Sequence, residues 1–294
     1  MAVVVRLVAA LAGAVVVGCV LFNVVAYLGA ARHRRCHPAP CPEDADEAAP
    51  WPARFVEFVA ECAVTTALAC TVPLALRRTR VRALDDRRGR RPVVFLHGYA
   101  QHTANFLWLM RRLRRDGWTH LYSVRHAAAR GDIEQSARRF GEALDRIRRD
   151  TGSDSVDVVA HSMGGLVART HVRQRGHASG ITRLVTLGTP HQGTLVFPGF
   201  RLDPMVAQMR PTSPFLVRLA QDDPVPGLVD CIAIYSADDA VVVPTSAGYW
   251  PGAFNIELRG LGHMSLLFSR RVHELVRENL AAPLAVAERA LQPA

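Results

Sequence analysis

The apolar positions of this chain fall into two regimes. From Leu7 to Ala31 the sequence is almost wholly apolar and is broken only by Asn23. At ~1.5 Å per residue, a helix over this stretch is long enough to cross the ~30 Å hydrocarbon core of a bilayer. It is also longer than the apolar region of a cleavable leader, about 7–15 residues. Val16-Val17-Gly18-Cys19 has the look of a lipoprotein cleavage box, but the apolar run continues past Cys19. Residues 1–31 therefore read as a transmembrane anchor. The next apolar stretch, Phe55 to Leu76, carries Glu57, Glu61 and Thr65 at every fourth position, which is a single polar stripe on a helix. The stripe fits a helix in the membrane interface, or one half of a hairpin, better than a lone lipid-facing span. The Pro-rich, acidic residues 32–54 read as a linker, and 55–90 as the second helix with a basic segment after it.

From residue 91 the pattern changes to short β-branched runs alternating with amphipathic stretches. Strands are expected at 93–96, 120–124, 156–160, 182–187, 229–235 and 254–258, and helices at 104–115, 133–150, 163–175 and 265–280. Alternating strands and helices imply an α/β fold: a mostly parallel sheet flanked by helices, with the site at the carboxyl ends of its strands. The alternation breaks at 195–227, which predicts a small cap. There Met205, Met209, Phe215 and Leu216 are candidate pocket walls, with ordinary core packing the alternative reading for each.

Chemistry concentrates where those strands end. Val156 to Ala160 runs directly into His161-Ser162-Met163-Gly164-Gly165, and a helix-like run follows at once. That is the order of a nucleophile elbow: a strand, a strained turn that lifts a hydroxyl out of the backbone, then a helix. Ala160 stands where the G-x-S-x-G pattern has its first glycine, and Gly164 leaves room for a tight strand–helix crossing. A serine hydroxyl needs a base and a carboxylate to orient that base. Downstream, Asp238 and Asp239 follow one strand, and His263 sits in a glycine-rich loop after the next. Upstream, His97-Gly98-Tyr99 follows the first strand, so the backbone N–H of Tyr99 can join that of Met163 as an oxyanion donor. His97 and His191 read better as loop-stabilising histidines than as catalytic ones.

These blocks resemble the α/β-hydrolase lipases, and most closely the small bacterial triacylglycerol lipases that also carry Ala-His-Ser-Met-Gly-Gly. The resemblance spans about residues 91 to 280. It rests on Val93 to Tyr99, Ala160 to Gly165, Leu187 to Thr194, Ile234 to Val242 and Gly260 to Leu267. It implies a serine hydrolase that cleaves carboxylic esters of lipids or acylglycerols, with Ser162 as nucleophile and His263 as base. The family acid falls on Asp239, with Asp238 as the alternative, and Tyr99 and Met163 hold the oxyanion. The same triad also serves thioesterases, acyltransferases and deacylases of lipid anchors. A non-catalytic binding module on this fold would lack a triad member. No cofactor is implied. Some lipases of this type carry structural calcium, but no carboxylate-rich loop or Cys/His cluster here has the spacing of a metal site.

Charge adds a location. The net charge is +10, and all 36 basic residues are arginine. Arg77, Arg78, Arg80, Arg82, Arg87, Arg88, Arg90 and Arg91 crowd the stretch after the second apolar segment, a juxtamembrane cluster suited to anionic lipids. No recognition motif supports nucleic-acid binding. The pairs in Arg111 to Arg115 and Arg138 to Arg149 read as solvated helix faces. With the bacterial resemblance, the anchor implies a bacterial inner-membrane location. Arg32, Arg34 and Arg35 favour a cytoplasmic domain, whereas the resemblance favours an exported one. Cys36 and Cys41 are either a pair or free thiols. Cys19, Cys62, Cys70 and Cys231 lie in apolar runs and are expected to be buried and free.

Overall fold

A computed structural model describes residues 2–36, 51–72, 80–81, 90–126, 131–196, 203–221 and 223–284. Two helices open the chain, α1 (Ala2–Cys36) and α2 (Trp51–Cys70), so both extend into the expected linker. The strands are β1 (Arg80–Val81), β2 (Val93–Leu96), β3 (Leu121–Val124), β4 (Val156–His161), β5 (Ile181–Leu187), β6 (Asp230–Ser236) and β7 (Phe254–Leu258). The longer helices between and after them are α3 (Leu107–Arg115), α4 (Ile133–Thr151) and α5 (Met163–Arg175). Then come α6 (Pro204–Gln208), α7 (Pro214–Ala220), α8 (Val225–Leu228) and α9 (Arg270–Ala281).

The strands form one sheet in the order β1-β3-β2-β4-β5-β6-β7, parallel from β3 to β7. Period-two alternation sends neighbouring side chains to opposite faces. Val94, Leu96, Val158 and Ala160 pack with Phe140, Leu144 and Leu166 on one side. Val93, Phe95, Val159 and Val185 pack with Leu109, Leu113 and Val276 on the other. Both faces are thus covered, which is why β4 is buried along its whole length. The helix ends carry their own stops: Asp132 accepts from Gln135 N at the start of α4, and Gly152 closes it at φ 66°.

Several expectations shift. The expected helix 104–115 begins as a 3₁₀ turn, Thr103–Phe106, and 265–280 divides into a 3₁₀ turn, Ser265–Leu267, and α9. β1 falls inside the basic segment and pairs antiparallel with β3. Arg90 and Arg91 serve the fold: Arg90 lies 4.1 Å over the Trp118 ring, and Arg91 pairs with buried Asp157 at 3.0 Å. Arg77, Arg78, Arg82, Arg87 and Arg88 lie outside the described residues, as does Cys41. Cys231 is buried and Cys19 and Cys62 half-buried, but Cys70, the last residue of α2, is exposed.

α1 and α2 pack antiparallel. Asn23 donates to Thr65 Oγ1 at 3.2 Å, and the Tyr27 and Phe58 rings meet edge-to-face. Near its end α1 also touches the sheet domain, where Ala26 and Ala30 pack with Val196, Ala240 and Val243. Its segment Ala12–Cys36 is apolar and long enough to cross a membrane.

Candidate active site

At the carboxyl end of β4 the backbone makes its sharpest turn. Ser162 stands at φ 56° and ψ −132°, a conformation an L-residue holds only when its surroundings enforce it. Here its N–H donates to Leu187 O at 2.9 Å, and Thr189 Oγ1 donates to its carbonyl at 2.9 Å. The turn brings α5 hard against β2. A Cβ on Gly164 would strike the carbonyl oxygens of Leu96 and His97, so only glycine permits the crossing.

The other two candidate residues meet one another. His263 Nδ1–H donates to Asp239 Oδ2 at 2.7 Å, with both side chains buried. Asp239 Oδ1 accepts the N–H groups of Val241 and Val242 at 2.7 and 2.9 Å, which fixes the carboxylate. Asp238 points elsewhere and accepts from Gly260 N at 2.8 Å, bracing the loop that carries the histidine. Burial alone would depress His263. The charge and hydrogen bond of Asp239, with a smaller contribution from Glu61, outweigh burial and raise it above its ordinary value. Gly188 packs against the pair, and a Cβ there would lie 3.3 Å from both Asp239 Oδ2 and His263 Nδ1. With Nδ1 engaged, Nε2 is the ring nitrogen left to serve a hydroxyl. Ser162 and His263 line the same cavity, and among the described residues no hydrogen bond joins them.

A residue missed by sequence reasoning holds the His263 loop from behind. Glu61, read only as part of a polar stripe, is 2 % exposed and reaches from α2 to the loop after His263. It accepts from Met264 N, from Ser265 N at 3.0 Å and from Ser265 Oγ at 2.6 Å. A Cβ on Gly262 would collide with it. The stripe was the available signal, since a glutamate on an apolar helix needs partners.

A second brace runs through His161. Its Nδ1 lies 3.0 Å from Gln101 Oε1 and its Nε2 3.0 Å from the His263 carbonyl oxygen. Burial, with His263 next, holds His161 well below its ordinary value, so the ring is neutral and donates to one of these oxygens at a time. Gln101 Oε1 also accepts from Gly98 N at 2.8 Å, which ties in the loop after β2. That loop holds Ala100 at φ 53°. Tyr99 anchors it by donating its hydroxyl to Asp203 Oδ2 at 2.8 Å. Among the described residues no acceptor takes the Tyr99 N–H. Met163 opens α5, where first-turn N–H groups have no partner within the helix. His97 and His126 pack ring to ring, and burial pushes them down to about 4 and about 3, so both are neutral. His191 is buried, stacked on Trp250 and paired with Thr186 Oγ1 at 3.0 Å.

The cavity holding Ser162 and His263 has a volume of about 640 Å³. Of the four expected wall residues only Met209 lines it, joined by Val206. Met205, Phe215 and Leu216 pack into the core instead, because the short helices α6 and α7 turn those side chains onto the sheet domain. Among the described residues no group of three or more His, Cys, Asp or Glu is placed to hold a metal ion.

Comparison with known proteins agrees with this architecture. Residues 118–207 match the model of the PGAP1-like alpha/beta domain. The mature form of the Bacillus licheniformis lipase BlEst2 superposes with a TM-score of 0.61 at 14% identity, over 70% of this chain and 98% of that one. Aspergillus fumigatus lipase B superposes with a TM-score of 0.58 at 15% identity, over 68% of this chain and 55% of that one. At such identities the likeness is one of fold, and it joins the sheet order and the turn at Ser162 in one conclusion: the chain has an α/β-hydrolase fold, with an apolar N-terminal helix that is a candidate anchor.

Proposed function

We propose that this protein is a membrane-associated serine hydrolase that cleaves carboxylic esters of lipids through an acyl-enzyme. The observation that carries the reading is the buried Asp239–His263 pair at 2.7 Å, lining one cavity with a serine held at φ 56°. His263 Nε2 takes the Ser162 proton as Oγ attacks the ester carbonyl, and Asp239 steadies the imidazolium that forms. The N–H groups of Tyr99 and Met163 receive the oxyanion; one such donor is worth about 2.7–4 kcal/mol in the transition state. His263 then protonates the leaving alkoxide, and the acyl group stays on Ser162. Water, deprotonated by the same histidine, attacks the acyl-enzyme and releases the carboxylic acid. The lipase folds of the structural neighbours support an ester substrate, and α1 supports a place at the bilayer, where ester lipids are concentrated. Ser162→Ala is expected to abolish ester hydrolysis and labelling by a fluorophosphonate probe while the circular dichroism spectrum stays unchanged. Full labelling of that variant overturns the assignment.

A further inference from the structure

The cavity does not end within the sheet domain. Val15, Gly18 and Phe22 of α1, Leu68 and Ala69 of α2 and Val72 just after it line it beyond Ser162 and His263. Cys19 and Thr65 line it too; the Thr65 hydroxyl donates to the Glu61 carbonyl at 2.7 Å, and the other side chains are apolar or absent. Leu68 is buried, whereas Phe22 and Val72 are exposed, so this end of the cavity borders the outside. The hairpin is held in that place at three points: Glu61 on the His263 loop, the Leu68 carbonyl 3.2 Å from His102 Nε2, and Ala26 with Ala30 against Val196, Ala240 and Val243. Its outward faces are also apolar. Val17, Leu21, Val25 and Leu28 are exposed on α1, and Trp51, Phe55, Val56 and Val59 on α2. An exposed apolar surface of this extent around an opening suits lipid rather than water.

We propose that the N-terminal hairpin forms one wall of the substrate site, and that the space it encloses receives the acyl chain of a bilayer lipid directly from the membrane. This inference rests on Ser162 being the nucleophile and adds the substrate's chain to that reading. The volume of about 640 Å³ lies in the range of sites that enclose a sizeable organic ligand. The lining is mainly apolar at the hairpin end and carries the serine and histidine at the other, so a chain lying along the hairpin presents its carbonyl to Ser162. The hairpin is then an anchor and a chain-length gauge together.

Gly18 gives a direct test. Gly18 lines the cavity and a Cβ built on it meets no atom within 4 Å, so a larger side chain fits there without displacing anything. In the full chain in phosphatidylcholine vesicles, labelling of Ser162 by a hexadecyl fluorophosphonate is compared with labelling by the butyl analogue. Each excluded methylene is worth about fourfold, so Gly18→Leu is expected to lower the hexadecyl-to-butyl rate ratio by about tenfold or more. Val17→Leu, facing outward, is expected to leave the ratio as it is. If the butyl probe labels Ser162 and Gly18→Leu leaves the ratio unchanged, the hairpin is not a wall of the site, although the serine reading stands. If neither probe labels Ser162 in the unaltered chain, the serine reading fails and this inference falls with it.

Discussion

Glu61 offers the sharpest check on how the helices and the site depend on one another. Glu61→Ala removes the acceptor of a buried N–H at Met264, of a partly buried N–H at Ser265 and of the Ser265 hydroxyl. An unpaired buried polar group is destabilising by about 1–3 kcal/mol, and the half-buried Ser265 groups recover part of theirs from water. The loss is therefore about 2–4 kcal/mol, a large fraction of the ~5–15 kcal/mol that holds a typical domain. For a domain of this size that corresponds to a fall of about 5–15 °C in melting temperature. The loop also carries His263, so the cheaper response is for it to open, and a misplacement of about 1 Å at a reacting group lowers kcat by about 10²-fold. Glu61→Gln keeps one acceptor oxygen but turns its NH2 toward the remaining donor, so it is expected to recover only part of both losses. The assay is hydrolysis of a short p-nitrophenyl ester beside thermal melting in detergent. A positioning role predicts a fall in kcat with KM little changed. Wild-type kcat and melting temperature in Glu61→Ala would refute the reasoning.

The two aspartates should separate cleanly. Asp239→Asn removes the charge beside His263 and is expected to lower kcat by about 10³–10⁴-fold, whereas Asp238→Asn retains an acceptor for Gly260 N and should stay within about threefold of wild type. The reverse order of losses, measured as kcat on one ester, would reassign the acid. The pH profile follows from the raised His263 value: kcat/KM is expected to fall on the acid side with a midpoint above about 6.5, because the base works only when neutral. In Asp239→Asn that midpoint should move down, and a wild-type midpoint at or below 6.5 would contradict the shift. The same shift stabilises the fold below about pH 6.5, and the stabilisation fades as the pH rises through the folded value, which pH-dependent melting will register.

The strand–turn–helix at Ser162 was legible in the sequence because its causes are local. A β-branched run extends the chain, glycines at 164 and 165 allow the crossing, and the elements follow within a few residues. The alternation of strands and helices was legible for the same reason, and it is enough to imply a parallel sheet with loops gathered at one end. The insertion misled in part. Composition does not say which way a short helix faces: all four candidates join the core, the alternative reading for each, and only Met209 also lines the cavity.

Adjacent Asp238 and Asp239 mark the limit of pattern. Both follow β6, and which carboxylate reaches His263 depends on how the chain leaves that strand and where the loop after β7 comes to rest. Glu61 lies further beyond that limit. Periodicity placed it on one stripe of a helix, yet its partners stand more than two hundred residues away along the chain. Local sequence thus determined where the elements begin, turn and end, since those choices rest on backbone sterics and on spacing along one segment. Tertiary structure alone decided that a helical hairpin lines the cavity and braces the His263 loop, because burial of Glu61 and closure of the space beside Ser162 exist only once distant segments share a face.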